Sequence, residues 1–155
     1  MTDYNIFHNI SHSGDYVICV ISDAEIGCDI QKMDYIDEEE LTELVWNFFS
    51  YKEAIQLQKT NDKRKYFYRL WTLKESYLKF CGDGLLKDLD SFSFIIRDKI
   101  IFEISDSVEN FSKLKFWLSG YGKEYTVAIC SIDNIDKVSL YTVDSNIIKN
   151  IINIC

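Results

Sequence analysis

KRKYFYRLWTLKESYLKF, residues 63–80, is the stretch on which the fold turns. Tyr66, Leu70, Leu73, Tyr77 and Phe80 recur at spacings of three and four, which makes one apolar stripe along a helix. The spacing predicts a helix over Lys63–Phe80, stopped by Gly82 and Gly84. Glu75 and Lys79 are four apart and stack on one face, with Lys74 next to Glu75 around the cylinder. The face opposite the stripe is expected to carry all three. One reading of it is a surface Glu–Lys pair worth roughly 0.3–0.5 kcal/mol. The other is a carboxylate that holds a metal, flanked by two ammonium groups that bind phosphate. The helix by itself leaves both open.

Upstream, Ser50 is an N-cap for a short helix through Leu57. Before it, Asp37-Glu38-Glu39-Glu40 opens another helix, with Leu41, Leu44, Val45, Phe48 and Phe49 at helical spacing. Tyr16–Ile21 is a continuous apolar run and reads as a buried strand; Ile26–Ile30 reads as a second, reached through the turn Ser22-Asp23-Ala24-Glu25. Downstream the pattern changes to short strands at Phe92–Ile96, Ile100–Ile104, Lys113–Leu118, Tyr125–Ile132 and Val138–Val143. Asp98-Lys99 is a hairpin turn and Gly120–Gly122 another break, while Ser145–Cys155 reads as a short helix or a frayed end. Without repeat or linker, residues 1–155 form one domain of the α+β class, its closely spaced later strands antiparallel.

Hydrophobic residues make up 47% and charged residues 27%, which places the chain among globular rather than disordered proteins. There is no proline, so Gly, Asn, Asp and Ser must make the turns. No apolar run approaches the roughly 20 residues that span a bilayer, and Met1–Asn5 lacks the basic start of a signal peptide. Five cysteines without a CxxC pair suit free thiols in a reducing, cytoplasmic setting. The net charge of −8 argues against nucleic acid as a partner. Residues 51–79 nevertheless carry eight Lys or Arg against three acidic groups, a net of +5. That island suits an anionic ligand or an acidic partner, or is simply a well-solvated face.

Two further groupings bear on chemistry. Gly27, Asp29 and Gln31 alternate along a strand and share one face. An acid and an amide thus emerge beside a glycine that leaves room for something bulky, and hard cations want such oxygen ligands. The plainer alternative is an Asp at a strand end facing water. Asn9-Ile10-Ser11-His12-Ser13-Gly14 places a hydroxyl and an imidazole at a Gly-containing turn, suited to holding a phosphate. No GxSxG elbow accompanies it, which weighs against serine hydrolysis, and with His8 and His12 the only histidines a His-based metal site is unsupported.

Asn-Ile-Ser-His-Ser-Gly at 9–14, Ile-Gly-Cys-Asp-Ile at 26–30, Phe48-Phe49-Ser50, and Phe67–Lys79 followed by Gly82-Asp83-Gly84-Leu85 occur in one order and spacing. Together with Leu89–Phe94 and Tyr125–Ile132 they resemble the Sfp-type 4'-phosphopantetheinyl transferases over most of the chain. The resemblance implies transfer of the phosphopantetheine arm of coenzyme A to a serine of an apo acyl or peptidyl carrier protein. It implies magnesium held by Asp29, Glu75 and, by amide oxygen or through water, Gln31. Lys74 and Lys79 would contact phosphates, with Ser11 and His12 at the nucleotide end. Glu75, directly or through water, would take the serine proton, and Lys79 would share in catalysis. Phe48 and Phe49 would lie near the carrier docking surface. Many relatives have a carboxylate where this chain has Gln31. The family consists of two similar halves, and this chain begins only a few residues before the Ser-His motif. The expectation is therefore one complete half plus the end of the other, with self-association covering the apolar surface so exposed. A weak or silent fragment that binds coenzyme A or a carrier, or serves a missing half as subunit, is the competing expectation.

Overall fold

The computed structural model describes residues 5–82, 87–97, 113–135 and 137–143, together with strand residues 100–104, of which 101–104 are described by their backbone. Their order is β1 (Phe7–Ser13), β2 (Tyr16–Ser22), β3 (Ile26–Lys32), α1 (Glu38–Phe48), α2 (Tyr51–Gln58) and α3 (Lys63–Cys81). After a single 3-10 turn at Leu89–Ser91 come β4 (Phe92–Ile96), β5 (Ile100–Ile104), β6 (Lys115–Tyr121) and β7 (Tyr125–Ser131). The expected α+β class holds, with helices packed on antiparallel strands. β3, β7 and β6 form one sheet in that order, while β1–β2 and β4–β5 are separate hairpins.

Local chemistry explains the boundaries. Asp37 caps α1 by accepting from the Glu39 amide, and the acids of the first turn favour that end of the dipole. Ser50 and Glu53 make a reciprocal capping box that starts α2. Asp62 caps α3, and Gly82, at φ 75°, ends it in the left-handed conformation with its amide bonded to Leu78. The expected second stop, Gly84, lies outside the described residues, as do the Asp98-Lys99 turn and the tail from Ser145. Val138–Val143 is a correction: the segment has no regular secondary structure and pairs with no strand among the described residues, and Leu140 and Tyr141 face solvent. Asn9–Ser13 is another, since it is strand rather than turn and only Gly14-Asp15 makes the turn.

The core lies between the helices and the sheet. Leu41, Val45, Leu57, Leu70, Leu73, Tyr77, Phe92 and Phe94 are all at most 1% exposed. α3 crosses β3 and β7 at close range because small residues face it. A Cβ on Gly27 would overlap the Ser76 carbonyl oxygen and the Phe80 nitrogen, and the cross-strand partner of Asp29 is Ala128. The bulky group for which Gly27 leaves room is thus the helix itself. No helix among the described residues is long and apolar enough to cross a membrane.

Candidate active site

The sequence places Asp29 in the middle of β3, on the face that α3 covers, and the close approach at Gly27 draws the last two turns of that helix over it. Asp29 is 1% exposed and fully partnered. Its Oδ1 accepts from Lys79 Nζ at 2.6 Å and from the Ser11 hydroxyl at 2.7 Å; its Oδ2 accepts from Gln31 Nε2 at 3.0 Å. Lys79 Nζ also donates to Ser11 Oγ at 2.8 Å. Burying a carboxylate this deeply is tolerable only because donors surround it.

Ser11 reaches Asp29 through an arrangement peculiar to β1. The amides of Cys28, Ile30 and Lys32 donate to Asn9 Oδ1, Ser11 Oγ and Ser13 Oγ at 3.1, 3.3 and 2.9 Å. Three side chains at alternate positions of β1 therefore satisfy alternate amides of β3, in place of a backbone ladder. The Asp15 amide, in the turn of the hairpin, donates to the Tyr125 hydroxyl at 3.3 Å and fastens that end to β7.

Glu75 emerges from α3 within electrostatic reach of both Asp29 and Lys79. Partial burial, first, and the Asp29 charge, second, push its carboxyl above the usual range, against the pull of Lys79. A carboxylate pair, an amide and an ammonium thus share one half-open site. Among the described residues no group of three or more His, Cys, Asp or Glu could hold a metal. The donor set still fits Mg²⁺, which is held typically by one or two carboxylates and completes its shell with water and substrate phosphates.

Lys74 departs from expectation. It is 0% exposed and turned into the core, where Nζ donates to Leu89 O at 2.6 Å and Phe92 O at 2.8 Å and pairs with Glu53 Oε2 at 2.9 Å. Lys74 follows Leu70 by four and precedes Tyr77 by three, so it borders the apolar stripe, and its buried acceptors draw it inward. Burial pushes Lys74 down and Glu53 up, while their mutual attraction opposes both shifts. His12 is also elsewhere. It lies next to Ser11 on β1 but faces outward, exposed, with Ile10, Val17 and Ile21. Asp29, Gln31, Glu75, Lys79 and Ser11 are brought together; Lys74 and His12 are not.

One groove adjoins the centre at Gln31, and a second lies towards the start of α3. The first, of about 320 Å³, runs from Gln31 past Phe48, Phe49, Tyr68 and Trp71. Phe48 is 54% exposed and Phe49 only 5%, so of the expected aromatic pair it is Phe48 that meets solvent. The other, about 350 Å³, is lined by Lys65 and Arg69 of the basic island with Met33 and Thr126.

Comparison with known proteins identifies the family. The sequence profile of the 4'-phosphopantetheinyl transferase superfamily matches residues 25–130, and the chain belongs to that family. It is 35% identical over 129 residues to a 4'-phosphopantetheinyl transferase of Bacillus subtilis, covering 79% of this chain and 54% of the relative. It is 40% identical over 103 residues to 4'-phosphopantetheinyl transferase Sfp of Bacillus subtilis strain 168, covering 64% and 44%. The chain thus spans about half the length of the curated relatives it matches. The fold is shared with a holo-(acyl-carrier-protein) synthase of Bacillus anthracis, solved in complex with CoA (3',5'-ADP). That match has a TM-score of 0.54 and 21% identity, covering 69% of this chain and 93% of that one.

Proposed function

We propose that this chain transfers 4'-phosphopantetheine from coenzyme A to a serine of an apo acyl or peptidyl carrier protein, releasing adenosine 3',5'-bisphosphate. The observation that carries the proposal is the Lys79–Asp29 ion pair, with Glu75 in electrostatic reach of both, where β3 and α3 approach through Gly27. Asp29 and Glu75, with Gln31 beside them, would hold Mg²⁺, which supplies charge neutralisation at the diphosphate. Lys79 has three donors and a side chain 29% exposed, so it can turn from Asp29 towards a phosphate oxygen. Ser11 holds Asp29 in place.

In the reaction the serine oxygen bonds to the phosphorus nearest the pantetheine, and the bond from that phosphorus to the bisphosphate leaving group breaks. The serine proton passes to Glu75, directly or through one water. The groove beside Phe48 and Trp71 suits the carrier's apolar contacts, and the exposed outer face of the β1–β2 hairpin suits a second copy of this chain.

Incubation with coenzyme A, Mg²⁺ and an apo carrier, followed by mass spectrometry of the carrier, tests the proposal. A phosphopantetheine adduct that vanishes on chelation with EDTA supports it. No adduct on several carriers favours the alternative, a silent fragment that binds coenzyme A or carrier.

A further inference from the structure

We propose that Lys74 and Glu53 are positioning residues, a buried ion pair that fixes the roll of α3 and so aims Glu75 at Asp29. The inference rests on the reading that Asp29 and Glu75 hold a divalent cation, and it assigns Lys74 a task different from phosphate binding.

A helix lying on a sheet has one soft coordinate, rotation about its own axis. Gly27 sets how closely α3 approaches β3 but grips only one side of it. The other side is held at Lys74. Its ammonium spends its donors on Glu53 of α2, the Leu89 carbonyl and the Phe92 carbonyl, and lies 4.3 Å from the Phe92 ring centroid and 5.1 Å from that of Phe49. Glu53 is equally committed. Its Oε2 accepts from the Ser50 amide and hydroxyl, both at 2.9 Å, and its Oε1 accepts from the Phe94 amide at 2.8 Å. One 0% exposed carboxylate therefore ties the start of α2, strand β4 and helix α3 to one another.

Glu75 is the next residue, about 100° around the cylinder from Lys74. A carboxyl roughly 6 Å from the axis moves about 1 Å for a 10° roll. Misplacements of about that size are enough to cost a reaction on the order of 100-fold. A buried ion pair adds little net stability compared with apolar residues of the same volume, so its retention here fits a demand for orientation. Glu53 reaches nothing in the site except through Lys74.

Mn²⁺ serves as a probe that needs no turnover. Its dissociation constant, the KM for coenzyme A, kcat and Tm are measured for wild type, Glu53→Gln, Lys74→Arg and the double variant Lys74→Met with Glu53→Gln. In variants folded at the assay temperature, Mn²⁺ binding is expected to weaken by roughly 10–100-fold and kcat to fall with it. At saturating metal, KM for coenzyme A should stay within about twofold, since the pair positions a ligand rather than contacting substrate. Lys74→Arg keeps the charge pair and should retain most of the affinity. Wild-type Mn²⁺ affinity and kcat in folded Glu53→Gln would overturn the proposal. So would a raised KM with unchanged Mn²⁺ binding, which would make Lys74 a substrate contact. Failure of wild type itself to bind Mn²⁺ would instead sink the underlying reading of the Asp29–Glu75 site.

Discussion

Lys79 Nζ lies 2.6 Å from Asp29 Oδ1, so the cation proposed to hold phosphate rests on the carboxylate proposed to hold magnesium. The two tasks compete for one oxygen. Lys79→Met should therefore tighten Mn²⁺ binding several-fold in the absence of substrate while lowering transfer by about 100-fold or more. Titration calorimetry reads the first effect and product formation the second. Weaker Mn²⁺ binding in the variant would show that Lys79 supports the cation rather than displacing it.

Gln31 donates to the second oxygen of Asp29 at 3.0 Å. Gln31→Glu would replace that donor by a second carboxylate. The metal-free protein should melt a few degrees lower, because a half-buried carboxylate beside buried Asp29 repels it. Added Mg²⁺ should recover more than the loss, by preferential binding to the folded state. Thermal melts with and without Mg²⁺ measure both; an unchanged magnesium dependence would place residue 31 outside the cation's ligands.

Gly27→Ala should be severe, since a methyl would meet the backbone of Ser76 and Phe80, which has no side-chain freedom to yield. A loss of about 3 kcal/mol or more in urea unfolding is expected. Gly120→Ala is the control, with its nearest neighbour at 3.8 Å and an expected change within about 0.5 kcal/mol. Equal tolerance of both would mean that α3 does not rest on Gly27.

These contacts also show what could be seen in the sequence. The helices, the caps at Ser50 and Gly82 and most strands follow from spacing and capping chemistry, although β2, expected to be buried, leaves Val17 and Ile21 in solvent; Asp29, Glu75 and Lys79 are legible as a group through their resemblance to a family. Lys74 is not. A lysine reads as surface, and only its buried acceptors, supplied by residues 15 and more positions away, make the core accept it. Glu53 stayed hidden for the same reason, behind an ordinary capping box. Strand β1 escaped because its inward face is polar: Asn9, Ser11 and Ser13 satisfy backbone amides rather than pack against side chains. Their alternation was a period-2 signal, though not a hydrophobic one.

Burial pushes the Cys28 thiol and the Tyr66 phenol up to about 12, and Cys130 is raised as well. The folded state therefore keeps protons that the unfolded chain gives up at its ordinary values, about 8.5 for Cys and 10 for Tyr. Stability must then fall as pH rises from about 9 towards 12. Urea titrations across that range should show the decline, and a flat profile would contradict it. Iodoacetamide at pH 8 should label exposed Cys19 and spare Cys28 and Cys130 in the native protein.

The central claim is that Asp29 and Glu75 form the centre of a phosphopantetheinyl transfer site. The most direct test is the mass of an apo carrier protein after incubation with coenzyme A, Mg²⁺ and either wild type, Asp29→Asn or Glu75→Gln, each verified as folded. Wild type should yield the phosphopantetheine adduct, and either variant a rate lower by at least about 100-fold. Equal adduct formation by wild type and Glu75→Gln would contradict the claim.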